Sequence, residues 1–289
     1  MPQWNCACSN CQDARRGTIP ARTQSSVAIS AEGEEWFLVN VSADLRAQIE
    51  AFPELQPAEK SARNTPIAGV LLTNADLDHI LGLFTLREGG PLEIYATPAT
   101  RRVLVEEMGL EKILGAFSGA RWHDVPTEDF GALGPGGAAS RLSFRAIGLG
   151  GKPPPFADKG AEGGGIHSVA YEFLDSRSGG RLLVAPDVAA INEPLRLGMQ
   201  NADAVVLDGT FWDEEELARV RPGAVKASAM GHLPVGEGSL NLLAKLPARH
   251  KIYIHINNTN PMLAVSSPQR RAVEAAGIAV GEDGYSFEL

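Results

Sequence analysis

The sequence lacks a cationic surplus, a long apolar run and a spread of cysteines, and each shortage excludes a class of protein. Its 289 residues carry a formal net charge of −9. Nucleic-acid binders usually show a basic surplus that neutralises phosphates, so we expect no nucleic-acid partner. No apolar run approaches the ~20 residues that span a bilayer, and the N-terminus "MPQWNCACSNCQDARRG" has no apolar signal core. We therefore expect no membrane partner and a cytoplasmic location.

Short apolar runs separated by 31 glycines and 19 prolines make up most of the sequence. "SSVAIS" and "EWFLVN" predict a hairpin turning through residues 31–34. Ser42 is placed to cap a helix over "ADLRAQIEAF". "IAGVLLT" (67–73) is nearly continuous in apolar residues, which is typical of a strand buried on both faces. "LEIYAT" predicts another strand, and "PATRRVLVEEMGL" a helix.

The second half repeats this alternation after "RLSFRAIGL" and an irregular loop, "GGKPPPFADKGAEGGG". Strands are predicted over "HSVAYEFL", "GRLLVAP", "AVVLD" and "KIYIHI", with helices near "EPLRLGMQ" and from Ser267. Strands with interleaved helices predict an α/β protein whose helices lie outside the sheets. Because we find no tandem repeat and no linker, we predict one domain, 1–289, with a cysteine-rich N-terminal segment at 1–20.

A cluster of metal-binding residue types follows the predicted strand at 67–73. In "LLTNADLDHILGL", Asp76, Asp78 and His79 come directly after the apolar run. One interpretation is a helix N-terminus whose aspartates complement the helix dipole. It leaves unexplained why a histidine stands beside two carboxylates after a buried strand. We therefore take these three residues as candidate metal ligands.

Three further motifs stand where strands are predicted to end. They are "VVLDGTFW" with Asp208, "AMGHLPV" with His232 and "IYIHINNTNP" with His255. Polar groups beyond the carboxyl ends of strands commonly form the ligand site of α/β folds. Beside the 76–79 cluster, His255 becomes a ligand candidate, while Asp208 could simply end a strand and His232 is an acid–base or supporting group. The remaining histidines are interpreted as surface or structural: His123, His167 and His250.

All three cysteines lie in "CACSNC", as Cys6, Cys8 and Cys11. Three thiols within six residues, with no other cysteine in the chain, favour a metal over a disulfide. A disulfide with one free thiol is the alternative. Structural zinc takes four ligands, so a fourth is needed from elsewhere.

These motifs carry a close resemblance to a known family. "PQWNCACSNC", "ARTQSS", "DHILGLFTLREG", "LDGTFW", "MGH" and "HINNTNP" resemble the coenzyme PQQ synthesis protein B family over residues 2–261, and "DGYSFEL" extends the likeness to the C-terminus. That family is similar to metallo-β-lactamases, whose signature is His-x-His-x-Asp-His; here Asn74 and Asp76 stand at the first two histidines. The resemblance implies a four-layer αββα sandwich with metals at one edge.

The resemblance also implies an activity, an iron-dependent hydroxylase of pyrroloquinoline quinone (PQQ) biosynthesis. Such an enzyme uses O₂ to oxygenate the tyrosine ring of a Glu–Tyr-derived peptide precursor. Fe(II) would be held by Asp76, Asp78, His79 and His255, with Asp208 or His232 moving the phenol proton. Two histidines with carboxylate is the ligand set of non-haem iron oxygenases, although zinc accepts it too. A zinc-dependent hydrolase of an ester or phosphodiester and a carrier that transports PQQ or its precursor are the alternatives.

Several finer expectations follow. Arg22, Arg46 and Arg87 are candidates for binding the precursor's carboxylates, against a structural role in salt bridges. Asp187 in "VAPD" stands where the family usually has glycine, and an aspartate near this position bridges two metals in the wider superfamily. Asp187 is therefore a candidate extra ligand.

The cysteine motif resembles the zinc site of carbon–phosphorus lyase accessory phosphodiesterases. A histidine three residues after the last active-site histidine completes that site, and here this position is Asn258. The fourth ligand is therefore open between Asn258, another side chain and water. Family members usually begin with one more strand and a glycine-rich turn, which we expect to be missing. A homodimer is left open.

Overall fold

The computed structural model describes residues 1–59, 62–134, 141–157 and 165–289. Part of the predicted loop "GGKPPPFADKGAEGGG", residues 158–164, lies outside the described residues. The chain divides into two compact units. The central unit is Gln24–Gly180, and the terminal unit combines Met1–Thr23 with Arg181–Leu289. No comparison tests the prediction of one domain, which stays a prediction.

The described residues form twelve strands and eight α-helices. The strands are β1 (Val27–Ile29), β2 (Trp36–Val39), β3 (Ile67–Leu71), β4 (Leu92–Ala96), β5 (Ala120–Asp124), β6 (Gly131–Ala132), β7 (Leu142–Gly150), β8 (Ser168–Asp175), β9 (Arg181–Ala185), β10 (Ala204–Asp208), β11 (His250–Ile254) and β12 (Ala279–Val280). The helices are α1 (Ser9–Arg16), α2 (Leu45–Ala51), α3 (Leu77–Ile80), α4 (Pro98–Arg102), α5 (Leu110–Gly115), α6 (Glu193–Asn201), α7 (Leu240–Ala244) and α8 (Pro268–Ala275).

The central unit contains a five-stranded sheet in the order β1-β2-β3-β4-β5. β1 and β2 form the predicted antiparallel hairpin, and the other neighbours pair in parallel. Apolar side chains of β2 to β4, among them Leu38, Val70 and Ile94, pack in one buried cluster with side chains of α2, of α5 and of the π-helical turn that follows α4. β6, β7 and β8 pair antiparallel in the same unit. The predicted buried strand therefore lies inside a sheet, as its composition requires.

Two predicted helices of the central unit have different bounds from those expected. The helix predicted after Ser42 begins at Leu45, because the Ser42 hydroxyl instead accepts a hydrogen bond from the Asp44 amide in a turn before the helix. The helix predicted over 98–110 is α-helical only to Arg102 and continues as one π-helical turn. Gly109, at φ 69°, then separates it from α5.

The terminal unit contains the parallel strands β12, β11, β10 and β9 in that order. Asn192 and Ser267 cap α6 and α8 by accepting from backbone amides, which confirms the helix predicted from Ser267. Because β9, β10 and β11 are parallel and in register, their carboxyl ends meet at one edge. This edge carries Asp208 and the residues that directly follow β9 and β11. Among the described residues, every helix is too short or too polar to cross a membrane.

Candidate metal centre

In the central unit, His79 is held by the side chain of Asn74. His79 lies in the single turn of α3 and is buried. Its Nδ1 is 2.7 Å from Asn74 Oδ1 and 3.3 Å from Thr73 Oγ1. Because an amide oxygen can only accept, Nδ1 carries the proton and Nε2 carries the lone pair. Asn74, a poor ligand itself, thus orients the ring for binding through Nε2.

A buried polar pair supports this arrangement. Asn40, in the left-handed region at φ 59°, donates from Nδ2 to Thr73 Oγ1 at 2.9 Å. The Thr73 amide donates back to Asn40 Oδ1 at 2.9 Å. The Val41 amide donates to the His79 carbonyl at 2.8 Å. The segment that follows β2 is therefore tied to the segment that follows β3 at both Thr73 and His79.

The two aspartates beside His79 are partly exposed. Asp76 stands at the start of α3, but its carboxylate makes no capping hydrogen bond to that helix. Its backbone amide donates to Asn74 Oδ1 at 3.0 Å, and its carbonyl accepts from the His79 amide at 2.9 Å. Asp78 is the acidic residue of the first turn. Capping is therefore not what the Asp76 carboxylate does here, and its role as a ligand stays a prediction.

In the terminal unit, Asp208 is a buried carboxylate that accepts four hydrogen bonds. Oδ1 accepts from the Thr210 amide at 2.9 Å and the Thr210 hydroxyl at 2.6 Å. Oδ2 accepts from the Val188 amide at 3.0 Å and from His232 Nδ1 at 2.8 Å. Both oxygens are used by the chain itself, so Asp208 is placed to hold His232 and present its Nε2.

The charge of Asp208 also governs the protonation of His232. Burial alone would lower the pKa of His232, but the nearby Asp208 carboxylate, its hydrogen bond and the charge of Asp187 outweigh burial and raise this pKa above its ordinary value. Asp208 and His232 therefore form a carboxylate–imidazole pair of the kind that moves protons in general acid–base catalysis.

His255 follows β11 with a left-handed backbone, at φ 56°. The Thr210 hydroxyl oxygen lies 2.8 Å from both Nδ1 and the carbonyl oxygen of His255, and 2.6 Å from Asp208 Oδ1. The carbonyl and the carboxylate can only accept, so the one hydroxyl proton goes to an oxygen and Nδ1 donates to the hydroxyl. His255, like His79, is thereby left with its lone pair on Nε2.

Asp187 joins these two histidines. Its Oδ1 is 3.6 Å from Nδ1 of both His232 and His255, and the two imidazoles stack with centroids 5.5 Å apart. The three side chains bring ligand atoms within 4.8 Å of one another, close enough for a shared metal ion. Asp187 thus lies beside His255, and its role as an extra ligand stays a prediction.

The three cysteines of the terminal unit converge, with sulfur atoms within 4.8 Å of one another. Asn258 Nδ2 lies 3.3 Å from Cys6 Sγ and 3.5 Å from Cys8 Sγ. A half-turn of the amide exchanges its nitrogen and oxygen, which would point Oδ1 at the thiols. The donor set of three sulfurs and an adjacent amide oxygen fits a small tetrahedral site.

The thiols differ in how readily they ionise. Burial raises the pKa of Cys11 to about 11. At Cys6 burial also acts to raise the pKa, but hydrogen bonds from the Cys8 amide and from Cys8, Cys11 and Asn258 side chains outweigh it and lower the pKa. A metal cation would have to displace the proton of Cys11 in particular, so metal binding by the three thiols depends on pH.

Two of the three arginines predicted to bind substrate take part in local contacts. Arg22 is nearly buried; it donates to the Gly281 carbonyl at 3.1 Å and pairs with Glu282 at 2.7 Å. Arg87 donates to the Phe84 carbonyl at 2.7 Å and stacks on Phe117. These contacts favour the structural interpretation of both. Arg46 is exposed on α2. A substrate role for the three stays a prediction.

The sequence-predicted set of Asp76, Asp78, His79 and His255 is divided between the units. The first three residues belong to the central unit and His255 to the terminal unit. The set as a whole stays a prediction. Sequence reasoning missed the residues that orient the rings, above all Thr210, although its motif "LDGTFW" was recognised.

Comparison with known proteins identifies the family. The family described as "Beta-lactamase superfamily domain" matches residues 35–256. The chain is 41% identical to coenzyme PQQ synthesis protein B of Ectopseudomonas mendocina, across 100% of this chain and 96% of the relative. It superposes on Zn²⁺-bound PqqB from Methylobacterium extorquens with a TM-score of 0.88 at 34% identity, covering 100% of this chain and 95% of that one.

A more distant structure shares the fold alone. Human tRNase Z, short form, gives a TM-score of 0.59 at 17% identity, covering 93% of this chain and 95% of that one. The predicted α/β, metallo-β-lactamase-like fold is confirmed by these matches. Since the identity extends over the whole length of the chain, the protein belongs to the coenzyme PQQ synthesis protein B family.

Proposed function

We propose that this member of the family is a non-haem iron-dependent hydroxylase that oxygenates the tyrosine ring of the Glu–Tyr-derived precursor of PQQ. One observation carries the proposal. Each imidazole of the predicted ligand set donates its Nδ1 proton to a neutral oxygen, of Asn74 or of Thr210, which leaves Nε2 to bind metal. Side chains that fix a histidine tautomer in this way are typical of metal sites.

The donor set supports iron more than a pair of zinc ions. The ligands of the proposal are Asp76, Asp78, His79 and His255, which supply two imidazoles together with carboxylate. That combination matches mononuclear Fe(II) oxygenases, which keep coordination positions open for O₂ and substrate. Bound Fe(II) would supply the redox chemistry that activates O₂.

The Asp208–His232 pair supplies the proton transfer. With Nδ1 donating to Asp208, the Nε2 atom of His232 is the one that takes the proton from the tyrosine hydroxyl. The Asp208 carboxylate then stabilises the imidazolium, and its hydrogen bonds to Thr210 and the Val188 amide keep it in place. A buried, well-anchored carboxylate holds the imidazole in one orientation for this transfer.

We also propose that Cys6, Cys8 and Cys11 hold a structural zinc. Asn258 is the fourth ligand in this proposal, because it is the amide in contact with two of the thiols. Tetrahedral zinc with three thiolates stabilises the fold in which it sits.

The experiment is anaerobic loading with Fe(II) or Zn(II), followed by addition of ¹⁸O₂ and a tyrosine-containing precursor. With a two-electron reductant such as ascorbate also supplied, we expect O₂ uptake with iron only, in which one ¹⁸O atom is added to the aromatic ring and the other is reduced to water. His255→Ala abolishes uptake, whereas the matched His250→Ala does not, because His250 instead stacks on Phe287. Binding of the precursor without ¹⁸O incorporation, in protein with verified iron content, would overturn the proposal in favour of a carrier.

A zinc hydrolase is the second candidate, and Asp187 favours it. Its carboxylate lies beside both His232 and His255, where an additional oxygen ligand would serve a second metal. The Methylobacterium extorquens relative is a Zn²⁺-bound protein. Hydrolysis of a phosphodiester by the zinc-loaded protein, lost in Asp187→Gly, would favour this candidate; inactivity of the zinc-loaded protein would exclude it.

A further inference from the structure

Within the terminal unit, a short loop lies between the cysteine cluster and His255. This loop, residues 257–261, begins two residues after His255 and includes Asn258, whose amide contacts Cys6 and Cys8. The Asn257 amide donates to the Thr210 carbonyl at 3.0 Å. The loop is therefore anchored to the same residue that orients the His255 ring.

Asn260 is the buried centre of the loop. Its side chain is inaccessible to solvent. Nδ2 donates to the Gly209 carbonyl at 2.9 Å and lies 3.3 Å from the Thr210 carbonyl, while Oδ1 accepts from the Met262 amide at 3.0 Å. One amide thus ties both sides of the loop to the segment that carries Thr210. A buried amide with its partners satisfied fixes the backbone strongly, because a buried donor or acceptor that loses its partner is left unsatisfied away from water.

Asn10 connects the loop to the cysteine helix. It lies on α1 next to Cys11 and is buried. Its Nδ2 donates to the Asn258 carbonyl at 3.0 Å and to the Asn260 carbonyl at 2.9 Å. The Asn10 side-chain amide therefore donates both of its protons to the loop and holds the loop against the cysteine segment.

The segment around Gly209, to which Asn260 binds, is tightly packed. A Cβ added to Gly209 would lie 2.9 Å from Met262 Cε and 2.9 Å from Tyr253 Cβ. The Gly209 backbone therefore packs directly against β11 and Met262, with no space for a side chain. His255 sits beside them in a left-handed conformation, which costs a residue other than glycine energy and persists where its surroundings impose it.

We propose that Asn10 and Asn260 are positioning residues that couple the cysteine cluster to His255. A metal ion bound by the three thiols fixes α1. Asn10 on α1 then holds loop 257–261 in place through its two hydrogen bonds, and Asn260 holds the segment of Gly209 and Thr210. Thr210 in turn orients the His255 ring. The inference rests on the proposed metal binding at both places and not on hydroxylation. Its consequence is that filling the cysteine site strengthens metal binding through His255.

The test measures Co(II) affinity at the histidine site, by its visible absorption, with the cysteine site either filled by one equivalent of Zn(II) or emptied in a Cys6→Ser/Cys8→Ser/Cys11→Ser variant. We expect binding at least about fivefold weaker when the cysteine site is empty, the lower end of ordinary coupling between sites. We also expect the His255 ring NMR signals to shift and broaden in the emptied protein without any Co(II).

The coupling should disappear in variants of the two amides. In Asn10→Ala, the Co(II) affinity should be equally weak with the cysteine site filled or empty. Asn10→Asp and Asn260→Asp test the same point, since each keeps the size of the side chain but loses the donated hydrogen bonds. If Asn10→Ala does not fold, these two variants show whether the coupling depends on the amides. Asn192→Ala removes a cap of α6 in the same unit and should keep the full coupling.

Two results would overturn the proposal. One is a wild-type Co(II) affinity that is the same with the cysteine site filled and empty. The other is undiminished coupling in the folded amide variants. Because neither measurement involves O₂ or precursor, the coupling can hold while hydroxylation fails, and hydroxylation can be observed while the coupling is absent.

Discussion

The two units hold their metal-binding histidines by different means. In the central unit, His79 is oriented by Asn74, five residues away. The hydrogen-bonded, buried residues Asn40 and Thr73 support this arrangement. In the terminal unit, His255 is oriented by Thr210, forty-five residues away, and the loop that follows is tied to Asn10, some 250 residues away. Both solutions leave Nε2 with the lone pair. The first is a local motif, whereas the second is assembled from distant parts of the chain.

The two units also contain buried glutamates with opposite behaviour. Burial raises the pKa of Glu216, in the terminal unit, from 4.5 to about 7, although Thr259 and the Trp212 amide donate to it. At Glu93, in the central unit, burial also acts to raise the pKa, but hydrogen bonds from Arg121 and His123 outweigh it and hold the pKa below its ordinary value.

The largest expected effect is the pH dependence due to Glu216. The folded state holds this proton more tightly than the unfolded chain, so the stabilisation is complete below pH 4.5 and is lost as the pH rises through about 7. The loss is about 3 kcal/mol at about 1.36 kcal/mol per pKa unit. Urea unfolding between these pH values should show this decline in the wild type and not in Glu216→Gln.

Glu93→Gln provides the contrast. In the wild type, the lowered pKa of Glu93 stabilises the folded state at pH values above the pKa of the unfolded chain, and this stabilisation is lost as the pH falls through the folded-state pKa. The variant should therefore be destabilised at neutral pH and approach the wild type on acidification. A stability difference between Glu216→Gln and wild type that does not change with pH would contradict this account of the two glutamates.

The next effect concerns metal affinity. Asn74→Ala and Thr210→Val each remove the oxygen that accepts the Nδ1 proton, of His79 and His255 respectively. Loss of such a partner typically weakens metal binding about 10- to 100-fold. We expect Thr210→Val to be the more severe, since it also removes a donor to Asp208. Chelator competition with Zn(II) measures both; affinities within twofold of wild type would count against the tautomer argument.

A smaller effect is expected from the close approach at Gly209. In Gly209→Ala the new methyl group overlaps Met262 and Tyr253, which should destabilise the protein by about 2 kcal/mol. Gly115→Ala is the matched control in the central unit: it lies at the end of α5 with open space around its Cβ position. That variant should be neutral or slightly stabilising, and urea unfolding distinguishes the two.

Most of the fold followed from the sequence where periodicity was strong. The hairpin of β1 and β2, the buried strand β3 and the capped helix α8 all appear where apolar spacing or a capping serine predicted them. β5 was missed, because "ARWHD" contains no apolar run, and its Arg121 and His123 pair with Glu93 of β4 only in the folded sheet. β12 is only two residues long.

The site was predictable as far as residue types and no further. Asn74 was recognised as a poor ligand, but its role as the acceptor from His79 needed the turn between them. Asn10 and Asn260 stood inside recognised motifs, yet nothing in their spacing shows that one donates to the other's carbonyl. Long-range hydrogen bonds of this kind have no periodicity, so only the folded structure reveals them.

Both histidines are held as Nδ1–H tautomers before any metal binds. Two-bond ¹H–¹⁵N correlation spectra of the metal-free protein, recorded at about pH 8 where an ordinary imidazole is neutral, test it directly. We predict that His79 and His255 both show a protonated Nδ1 and an unprotonated Nε2, and that Asn74→Ala and Thr210→Val each disturb only their own histidine. A proton on Nε2 of either ring in the wild type would contradict the account.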